Sequence, residues 1–338
     1  MIDLLVAGGG PAGLATAILG ARAGLEVVVI ERRDGPVDKA CGEGLMPHAL
    51  ALLRDLDVQP PGKPFRGITY LDGRHRVTGL FSGGAGRGVR RTALHAGLLE
   101  AAATAGVRIE HGDVGPVSQN ATSLHCNGFH ARYLAAADGL HSPIRVALGL
   151  AQPSGGPRRW GIRRHILTAP WSDCVEVYWA DDAEAYVTPV ADDCVGIAVL
   201  TSQRGGFDEH LRAFPALQER ARGQAHGPDR AAGPLRQRVR SRTAGRVMLV
   251  GDAAGYVDAL TGEGLGIAFG AAKLLVDCVA ADRPEDYDVR WRRMSRRYRL
   301  LTAGVLHASA MPVLRRRIVP AAERFPGLFR RVVNLLAE

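Results

Sequence analysis

The feature that most constrains this chain is a glycine-rich turn between two short apolar runs near its start. Ile2 to Ala7 and Val27 to Ile30 have the composition of buried strands, and Pro11 to Gly24 that of a helix with small residues on its packing face. The turn itself, Gly8 to Gly13, has the spacing G-x-G-x-x-G. This strand, turn, helix and strand unit is typical of nucleotide-binding α/β folds.

Each glycine of the G-x-G-x-x-G turn has its own physical reason. Gly8 permits a tight turn, Gly10 lets the backbone approach a pyrophosphate, and Gly13 lets the helix pack closely on the strand. The helix that begins at Pro11 then offers the free N–H groups of its first turn, from Ala12 onwards, and a partial positive charge to phosphates. The turn therefore predicts a dinucleotide site.

An acidic residue at the end of the second strand supports this interpretation. Glu31 lies about twenty positions beyond the turn, where a carboxylate accepts hydrogen bonds from an adenosine ribose. Arg32 follows it directly. A glycine-rich turn without a ligand would not need an acid at this strand end, and the carboxylate argues against a 2′-phosphate here. We expect Glu31 and Arg32 to contact the adenosine half of the ligand.

Two later segments distinguish FAD from NAD. One follows a predicted strand and contains Asp138-Gly139, and the other is a strand that ends in Gly251-Asp252. A further turn, Thr261 to Gly264, then opens a helix at Leu265. With the glycine turn, these segments resemble the flavin-dependent hydroxylase superfamily, and the resemblance covers nearly the whole chain. It implies bound FAD, with NAD(P)H as a transient reductant, because the sequence holds no second dinucleotide fold.

The resemblance also implies roles for single residues. Asp252 would accept a hydrogen bond from a flavin ribityl hydroxyl, and the helix that starts near Gly262 and Gly264 would stabilise negative charge on the reduced flavin. Arg91 matches the family's arginine near the pyrophosphate. Asp138 would support the pocket where FAD and the pyridine nucleotide meet. Each of these acids could instead be a turn or cap residue.

Other features resemble the geranylgeranyl reductase branch of the superfamily. Gly255 replaces the histidine of typical aromatic hydroxylases, and Lys39 to Leu45 contains a Cys-Gly-x-Gly segment that in that branch lies beside the flavin. Cys41 is therefore a candidate cofactor-binding and catalytic residue that tunes the flavin or donates a proton, unless the loop only needs a small side chain there. Glu43 and Glu263 are candidate acids, with Glu263 the preferred one.

Composition excludes several other classes of protein. The chain has 338 residues, 46% hydrophobic and 23% charged, without an apolar run that could span a bilayer or a signal peptide at its start. Its five cysteines are scattered and form no CxxC pair, which argues against a disulfide framework and a metal site. The net charge of +9 comes without any nucleic-acid motif. We expect a cytoplasmic protein that binds neither metal nor nucleic acid.

Much of the positive charge lies in the last fifty residues, where arginines are interspersed with apolar stretches. The segment is interpreted as a helical cap with solvated arginine faces. The alternative is a pair of interfacial helices that contacts a membrane and serves a lipid-like substrate. The oligomeric state is left open by the sequence.

The sequence thus predicts an α/β fold with a discontinuous Rossmann-like FAD-binding domain, an inserted β-sheet substrate domain and C-terminal helices. The expected FAD domain comprises residues 1–63, 86–155 and 236–282, the substrate domain 64–85 and 156–235, and the helical segment 283–338. The leading functional hypothesis is an NAD(P)H-using monooxygenase of secondary metabolism that hydroxylates a phenolic or polyketide-like lipophilic compound. The alternative is a flavin-dependent double-bond reductase of the geranylgeranyl reductase type.

Overall fold

The structure is a computed structural model that describes residues 1–156 and 158–337. Pro157, in the predicted linker between domains, and Glu338, at the end of the predicted helical segment, lie outside the described residues. The strands are β1 Ile2–Ala7, β2 Val27–Glu31, β3 Gly44–Leu45, β4 Lys63–Phe65, β5 Gly67–Leu71, β6 Arg76–Leu80, β7 Gly86–Gly88, β8 Arg108–His111, β9 Ser118–Gln119, β10 Leu124–Cys126, β11 Phe129–Ala136, β12 Ala151–Gln152, β13 Trp160–Ile166, β14 Val175–Trp179, β15 Ala183–Ala191, β16 Cys194–Thr201, β17 Arg230–Ala232, β18 Arg238–Val239, β19 Thr243–Ala244 and β20 Val247–Leu249. The helices are α1 Pro11–Arg22, α2 Pro47–Arg54, α3 Arg91–Thr104, α4 Pro143–Ala147, α5 Phe207–Leu211, α6 Pro215–Ala221, α7 Gly264–Ala280, α8 Asp286–Ala310, α9 Pro312–Arg315, α10 Ile318–Arg324 and α11 Pro326–Ala337.

The first sheet has the strand order β19-β20-β11-β1-β2-β8, and β10 and β9 extend it from β11. Strands β20, β11, β1, β2 and β8 run parallel. The short apolar sequences of β1, β2 and β20 are buried, as a parallel sheet covered by helices requires, whereas β8 is a largely exposed strand at the edge of the sheet. Helix α1 packs against both α3 and α7. The predicted strand, turn, helix and strand unit at the N-terminus is confirmed.

The register of this sheet brings the three sequence motifs together. Ala7 at the end of β1 pairs with Ala136 at the end of β11, which in turn pairs with Leu249 at the end of β20. Because parallel strands end at the same edge of a sheet, the turns that follow them become neighbours. The glycine turn, the Asp138 segment and the Gly251 segment therefore meet at one edge.

The second sheet has the order β17-β13-β16-β15-β14-β5-β6. Strands β5 and β6 form the hairpin predicted around Asp72-Gly73. Side chains alternate along β14: Val175, Val177 and Trp179 pack in the core that the C-terminal helices share, while Tyr178 packs on the opposite face with α5 and α6. The strands of both sheets lie within the segments assigned to the substrate and FAD domains, whereas the domain limits themselves stay a prediction.

Helices α9 to α11 lie against the second sheet, while α8 packs on α7 and contributes Val305 to the core of the second sheet. The ring of Phe329 in α11 is 4.8 Å from that of Tyr70 in β5, and a Cβ added at Gly79 would lie 2.9 Å from Val333. Within residues 1–156 and 158–337, no helix is both long and apolar enough to cross a membrane. The mixed α/β fold with C-terminal helices confirms the predicted fold class.

Candidate active site

One cavity of about 1210 Å³ runs from the edge of the first sheet, across the second sheet, to the C-terminal helices. We call its two parts the crevice end and the apolar end. The crevice end is lined by loops that follow the strands of the first sheet, among them Gly8–Ala12, Glu31–Arg33, Lys39, Arg91, Asp138 and Asp252. The apolar end is lined by side chains of the second sheet and by α8, α10 and α11, among them Val175, Val177, Ala198, Leu200, Val305, Ala322, Phe329 and Val333.

Steric constraints at the glycine turn explain its composition. Gly8 has φ 105°, and a Cβ there would lie 2.6 Å from the carbonyl oxygen of Ala137. A Cβ at Gly13 would lie 1.9 Å from the carbonyl oxygen of Gly8. At Gly10, in contrast, a Cβ would meet nothing within 4 Å, and Gly10 begins α1 without a side-chain cap. The open space in front of this helix N-terminus suits a phosphate group.

Glu31 is held by the turn that it faces. Its Oε2 accepts a hydrogen bond of 2.8 Å from the Gly9 N–H, and its Oε1 accepts from the backbone and side chain of Arg33. Burial raises the pKa of this carboxyl, but the hydrogen bonds from Gly9 and Arg33 outweigh burial and leave the pKa lowered. Glu31 is therefore an ionised acceptor on the cavity wall, as ribose binding requires.

His95 is a residue of this site that the sequence did not single out. Its Nδ1 accepts from the Val37 N–H at 3.0 Å, so its Nε2 donates to the Gly9 carbonyl at 2.6 Å. Burial is the main cause that lowers the pKa of the imidazole. The neutral ring thus holds the glycine turn in place through its hydrogen bond to the Gly9 carbonyl. Its position on the buried face of α3 gave no sign of this contact.

Three cationic side chains surround the space beside the turn. Arg91 and Arg33 lie close enough to Lys39 to lower the pKa of its ammonium group, in addition to desolvation within the crevice. The Nε of Arg91 is buried and has no hydrogen-bond partner among the described residues. A pyrophosphate would give these cationic groups an anionic partner. The sequence motifs indicate Arg91 but give no sign of Lys39.

Asp138 and Asp252 face the cavity from adjacent loops. Asp138 Oδ2 accepts from the Ile144 N–H at the start of α4, whereas its buried Oδ1 has no partner in the described part of the chain. Desolvation raises the pKa of the Asp252 carboxyl, although Arg91 and Lys39 oppose this shift. Asp138 therefore caps a helix, as the alternative interpretation held, and still presents a free oxygen.

Arg145 connects these two loops and was not predicted as a site residue. Its guanidinium is buried and donates to the carbonyl of Ala253 at 3.1 Å, to that of Leu140 at 2.8 Å and to Gln237 Oε1 at 2.9 Å. Leu140 belongs to the Asp138 loop and Ala253 to the Asp252 loop. This one side chain therefore sets the spacing between the two acids.

A family model described as "FAD binding domain" matches residues 1–64 and 90–282, about three quarters of the chain. The chain belongs to this FAD-binding family. Because relatives named as reductases and a monooxygenase share it, the protein is a flavin-dependent oxidoreductase. The unsatisfied groups of the crevice end fit FAD on their own account: the α1 N-terminus and Arg91 would hold the pyrophosphate, Glu31 the adenosine ribose and Asp252 the ribityl chain.

Known relatives fall into more than one reaction class. Menaquinone reductase of Mycobacterium tuberculosis is 28% identical over 325 residues, which cover 81% of this chain and 76% of the relative. Digeranylgeranylglycerophospholipid reductase 1 of Methanothermobacter thermautotrophicus is 26% identical over 332 residues, covering 88% and 82%. The 3-hydroxy-4-methyl-anthranilyl-(aryl-carrier protein) 5-monooxygenase of Streptosporangium sibiricum is 30% identical over 302 residues, covering 82% and 79%.

Among solved structures, the flavin-dependent brominase Bmp2 superposes with a TM-score of 0.82 at 17% identity, covering 99% of this chain and 93% of the brominase. At that identity the likeness shows the shared fold alone. The superposition therefore supports the FAD-binding architecture and leaves the reaction to be argued from the residues of the site.

The structure brings most of the predicted FAD-binding residues to the cavity wall. Those that line it are Gly8, Gly10, Pro11, Ala12, Glu31, Arg32, Cys41, Arg91, Asp138, Asp252, Gly262, Gly264 and Leu265. Gly13 and Gly251 lie behind the wall, where a Cβ would clash with Gly8 and Ala12 respectively. Their contribution is to let the loops approach each other. The contacts that each residue makes with FAD stay a prediction.

Cys41 lies where the crevice end meets the second sheet. The loop is anchored there because Thr188 of β15 donates to the Gly42 carbonyl at 2.8 Å. The Cys41 thiol is partly buried and lines the cavity, and its Sγ accepts a hydrogen bond from the Glu43 backbone N–H at 3.4 Å. Burial raises the pKa of the thiol, and the negative charge of Glu43 adds to this while Arg91 opposes it. The thiol therefore stays protonated at neutral pH.

Glu43 is the centre of a buried polar network behind this thiol. Its carboxylate accepts hydrogen bonds from the backbone N–H of Arg91 at 2.8 Å and from His165 Nε2 at 2.6 Å. Arg163 donates to His165 Nδ1 at 2.9 Å and pairs with Asp38. Glu43 also has φ 60°, which costs a non-glycine residue about 1 kcal/mol and persists only where the surroundings hold it. The network fixes both the Cys41 loop and the start of α3.

Glu263 does not lie where the sequence analysis expected it. It precedes α7 and is buried, but its side chain points away from the cavity towards α2, with Oε2 3.0 Å from His48 Nε2. The backbone of the neighbouring Gly262 and Gly264 occupies the cavity wall instead. The placement gives Glu263 a role in packing α7 on α2 and does not support its expected role as an acid facing the flavin. Position in the sequence could not show the direction of this side chain.

Proposed function

We propose that the protein reduces a carbon–carbon double bond in a long apolar, isoprenoid-like substrate, with NAD(P)H as the source of electrons. The observation that carries this proposal is the position of the Cys41 thiol at the junction of the crevice end and the apolar end, where burial raises its pKa. FAD, when bound, supplies the hydride chemistry between the nicotinamide and the substrate. The side chains of this protein have to supply position, dryness and a proton.

Cys41 is suited to the proton. Saturation of a double bond adds a hydride to one carbon and a proton to the other. Sγ can release its proton to the second carbon, and the resulting thiolate recovers a proton from solvent, since Cys41 is only partly buried. The raised pKa keeps the thiol protonated before each turnover. The network of Glu43 and His165 holds the loop in place during this step.

The apolar end matches a long apolar substrate. Its walls are aliphatic and aromatic side chains from the second sheet and from α8, α10 and α11. Burial of such a substrate is favourable at about 25 cal/mol for each Å² of apolar surface. The names of two relatives, a menaquinone reductase and a digeranylgeranylglycerophospholipid reductase, are consistent with this substrate class.

A second candidate is the NAD(P)H-dependent hydroxylation of a phenolic or polyketide-like lipophilic compound. The 30% identical monooxygenase relative favours it. Hydroxylation assigns no role to the Cys41 thiol, whereas the reduction of a double bond needs a proton donor at this position. We therefore rank reduction above hydroxylation, in contrast to the order that the sequence alone suggested.

Product analysis separates the two reactions. The FAD-loaded protein would be given NADH or NADPH with menaquinone, geranylgeraniol or an alkylphenol, once without oxygen and once under isotopically labelled oxygen. We expect a product that has gained two hydrogens on carbon, formed without oxygen and carrying non-exchangeable, carbon-bound deuterium when the solvent is D₂O; a quinol, which gains its hydrogens on oxygen, does not count as this product. A product that carries labelled oxygen, and that forms only in its presence, would establish hydroxylation instead.

The variant Cys41→Ala tests the role of the thiol. We expect it to keep its FAD and to lose about a hundredfold in the rate of substrate reduction, the usual contribution of a general acid. Cys126→Ala is the matched control, because Cys126 is buried in β10 and is not part of the cavity wall. If Cys41→Ala reduced the substrate as fast as the control, Cys41 would be no proton donor.

A further inference from the structure

We propose that the face around the open end of the cavity binds an anionic lipid bilayer, so that an apolar substrate enters the protein directly from the membrane. Binding to the bilayer is independent of the reaction. Only the entry of the substrate rests on the proposed function.

The cavity has a mouth between α8, α10 and α11. Gly304, Ala321, Phe325 and Leu328 line the cavity and are at the same time exposed at the surface. Phe325 and Leu328 are 60% and 62% exposed, which is unusual for side chains of this size that also belong to a pocket wall. The apolar lining thus continues onto the outer surface without a polar rim at these positions.

The apolar surface extends along α8 away from the mouth. Leu300, Gly304 and Ala308 are four residues apart and therefore share one face of the helix. Gly304 and Ala308 line the cavity, and Leu300, one turn further on, is 63% exposed. An exposed apolar patch that is continuous with a pocket marks an interaction site rather than an ordinary surface.

Charge identifies the occupant of this patch. Residues 290–338 contain twelve arginines and two glutamates, whereas the rest of the chain holds nearly equal numbers of basic and acidic residues. Arg317, Arg324 and Arg331 are exposed, and each lies within four residues of Ala321, Phe325 or Leu328. Apolar side chains ringed by arginine are the arrangement with which interfacial helices bind anionic lipid headgroups.

A second copy of the chain fits this face less well. In a symmetric dimer the same patch would meet itself, and the arginines around the two mouths would repel each other. Not all arginines of the segment point outwards, since Arg315 is buried against Glu184. The proposal therefore concerns the exposed arginines at the mouth and not the arginine content as such.

Vesicle flotation tests the proposal with the FAD-loaded protein and no substrate. We expect the protein to float with vesicles of equal parts phosphatidylcholine and phosphatidylglycerol, at least about tenfold more than with phosphatidylcholine alone, and to be released by salt. The variants Phe325→Ser with Leu328→Ser, and Arg324→Glu with Arg331→Glu, should each lose most of this binding. The controls Val146→Ser and Arg54→Glu, at exposed positions off the cavity wall, should keep it.

Three results would overturn the proposal: no flotation with either vesicle, equal flotation of the mouth variants and the controls, or a mouth that proves to be a dimer interface because the arginine variant alone changes the oligomeric state. Turnover of a detergent-dispersed substrate distinguishes this failure from failure of the proposed function. Arg324→Glu with Arg331→Glu should keep that turnover and lose it only when the substrate is embedded in anionic vesicles.

Discussion

The crevice end of the cavity is built from loop backbone and charged side chains, whereas the apolar end is built from side chains of a sheet and three helices. At the crevice end the constraints are local, since Gly8 and Gly13 approach each other within one turn of chain. At the apolar end they are distant, since Tyr70 meets Phe329 and Glu184 meets Arg315. We therefore expect the binding of FAD to depend on short motifs and the choice of substrate to depend on tertiary packing.

The largest effect is expected from a change that breaks the crevice end alone. Gly13→Val should abolish FAD binding, because even a Cβ would lie 1.9 Å from the Gly8 carbonyl oxygen and would force the turn open. Flavin absorbance per mole of folded protein measures this. Gly304→Ala, at the mouth of the apolar end, is the control, since its Cβ would meet nothing within 4 Å. Full FAD occupancy in Gly13→Val would refute the steric account of the turn.

Loss of the contacts that hold α9 on the second sheet, next to the apolar end, is expected to lower the free energy of unfolding. Arg315 is buried and donates to Glu184 Oε1 at 2.7 Å and to the Ala183 carbonyl at 2.6 Å, tying α9 to the second sheet. Arg315→Leu should lower the free energy of unfolding by about 3 kcal/mol, because Glu184 Oε1 and the Ala183 carbonyl lose their donor, although Arg159 still pairs with Glu184 Oε2. Urea denaturation measures the loss.

The adjacent Arg316 is a matched control for this experiment. It pairs with Asp181 at 2.9 Å, and both side chains are about 70% exposed. Arg316→Leu should leave the unfolding free energy nearly unchanged, because water screens such a pair. An equal loss in both variants would mean that α9 is not held by the buried ion pair.

Asp258 is buried, with its carboxylate 3.7 Å from Arg159, and should make stability depend on pH. Burial raises the pKa of its carboxyl from 3.8 to about 6, with Arg159 opposing and Glu184 adding to the shift. The folded protein thus binds this proton more tightly than the unfolded chain. The free energy of unfolding should therefore fall by about 3 kcal/mol as the pH rises from 3.8 to about 6.

Asp258→Asn should remove this part of the pH dependence, and urea denaturation at a series of pH values measures it. The surface variant Asp55→Asn serves as the control and should follow the parent protein. A steeper fall in Asp258→Asn than in the parent would show that the carboxyl is stabilised by Arg159 more than it is destabilised by burial.

The smallest effect is expected from filling the apolar end without touching the crevice. Ala308→Trp places an indole on the cavity wall and should raise the Kd for geranylgeraniol about tenfold, or about 1.4 kcal/mol, while FAD stays bound. Flavin fluorescence during titration measures both the Kd for geranylgeraniol and the retention of FAD. Ala310→Trp, two residues on and exposed outside the cavity, should bind as the parent does. Loss of FAD in Ala308→Trp would contradict the independence of the two ends.

Much of the crevice end could be predicted from the sequence because short stretches of the chain form it. The turn from Gly8 to Gly13, Glu31 at a strand end and the Gly251-Asp252 segment each have local physical reasons. Lys39, His95 and Arg145 were missed, because each acts through partners far along the chain and carries no spacing signal. The contact of Glu263 with His48 could not be predicted, because a helix N-terminus presents its backbone to one side and its side chain to another.

By itself, the sequence determined the FAD-binding fold and predicted where the dinucleotide binds, since strand, turn and helix follow from local geometry and apolar periodicity. The tertiary structure decided which groups share the cavity. It placed the Cys41 thiol where the crevice meets the second sheet, turned Glu263 away, and buried Arg315 while leaving Phe325 and Leu328 exposed at the mouth. These outcomes depend on how distant surfaces pack, and packing is a property of the whole fold and not of any one segment.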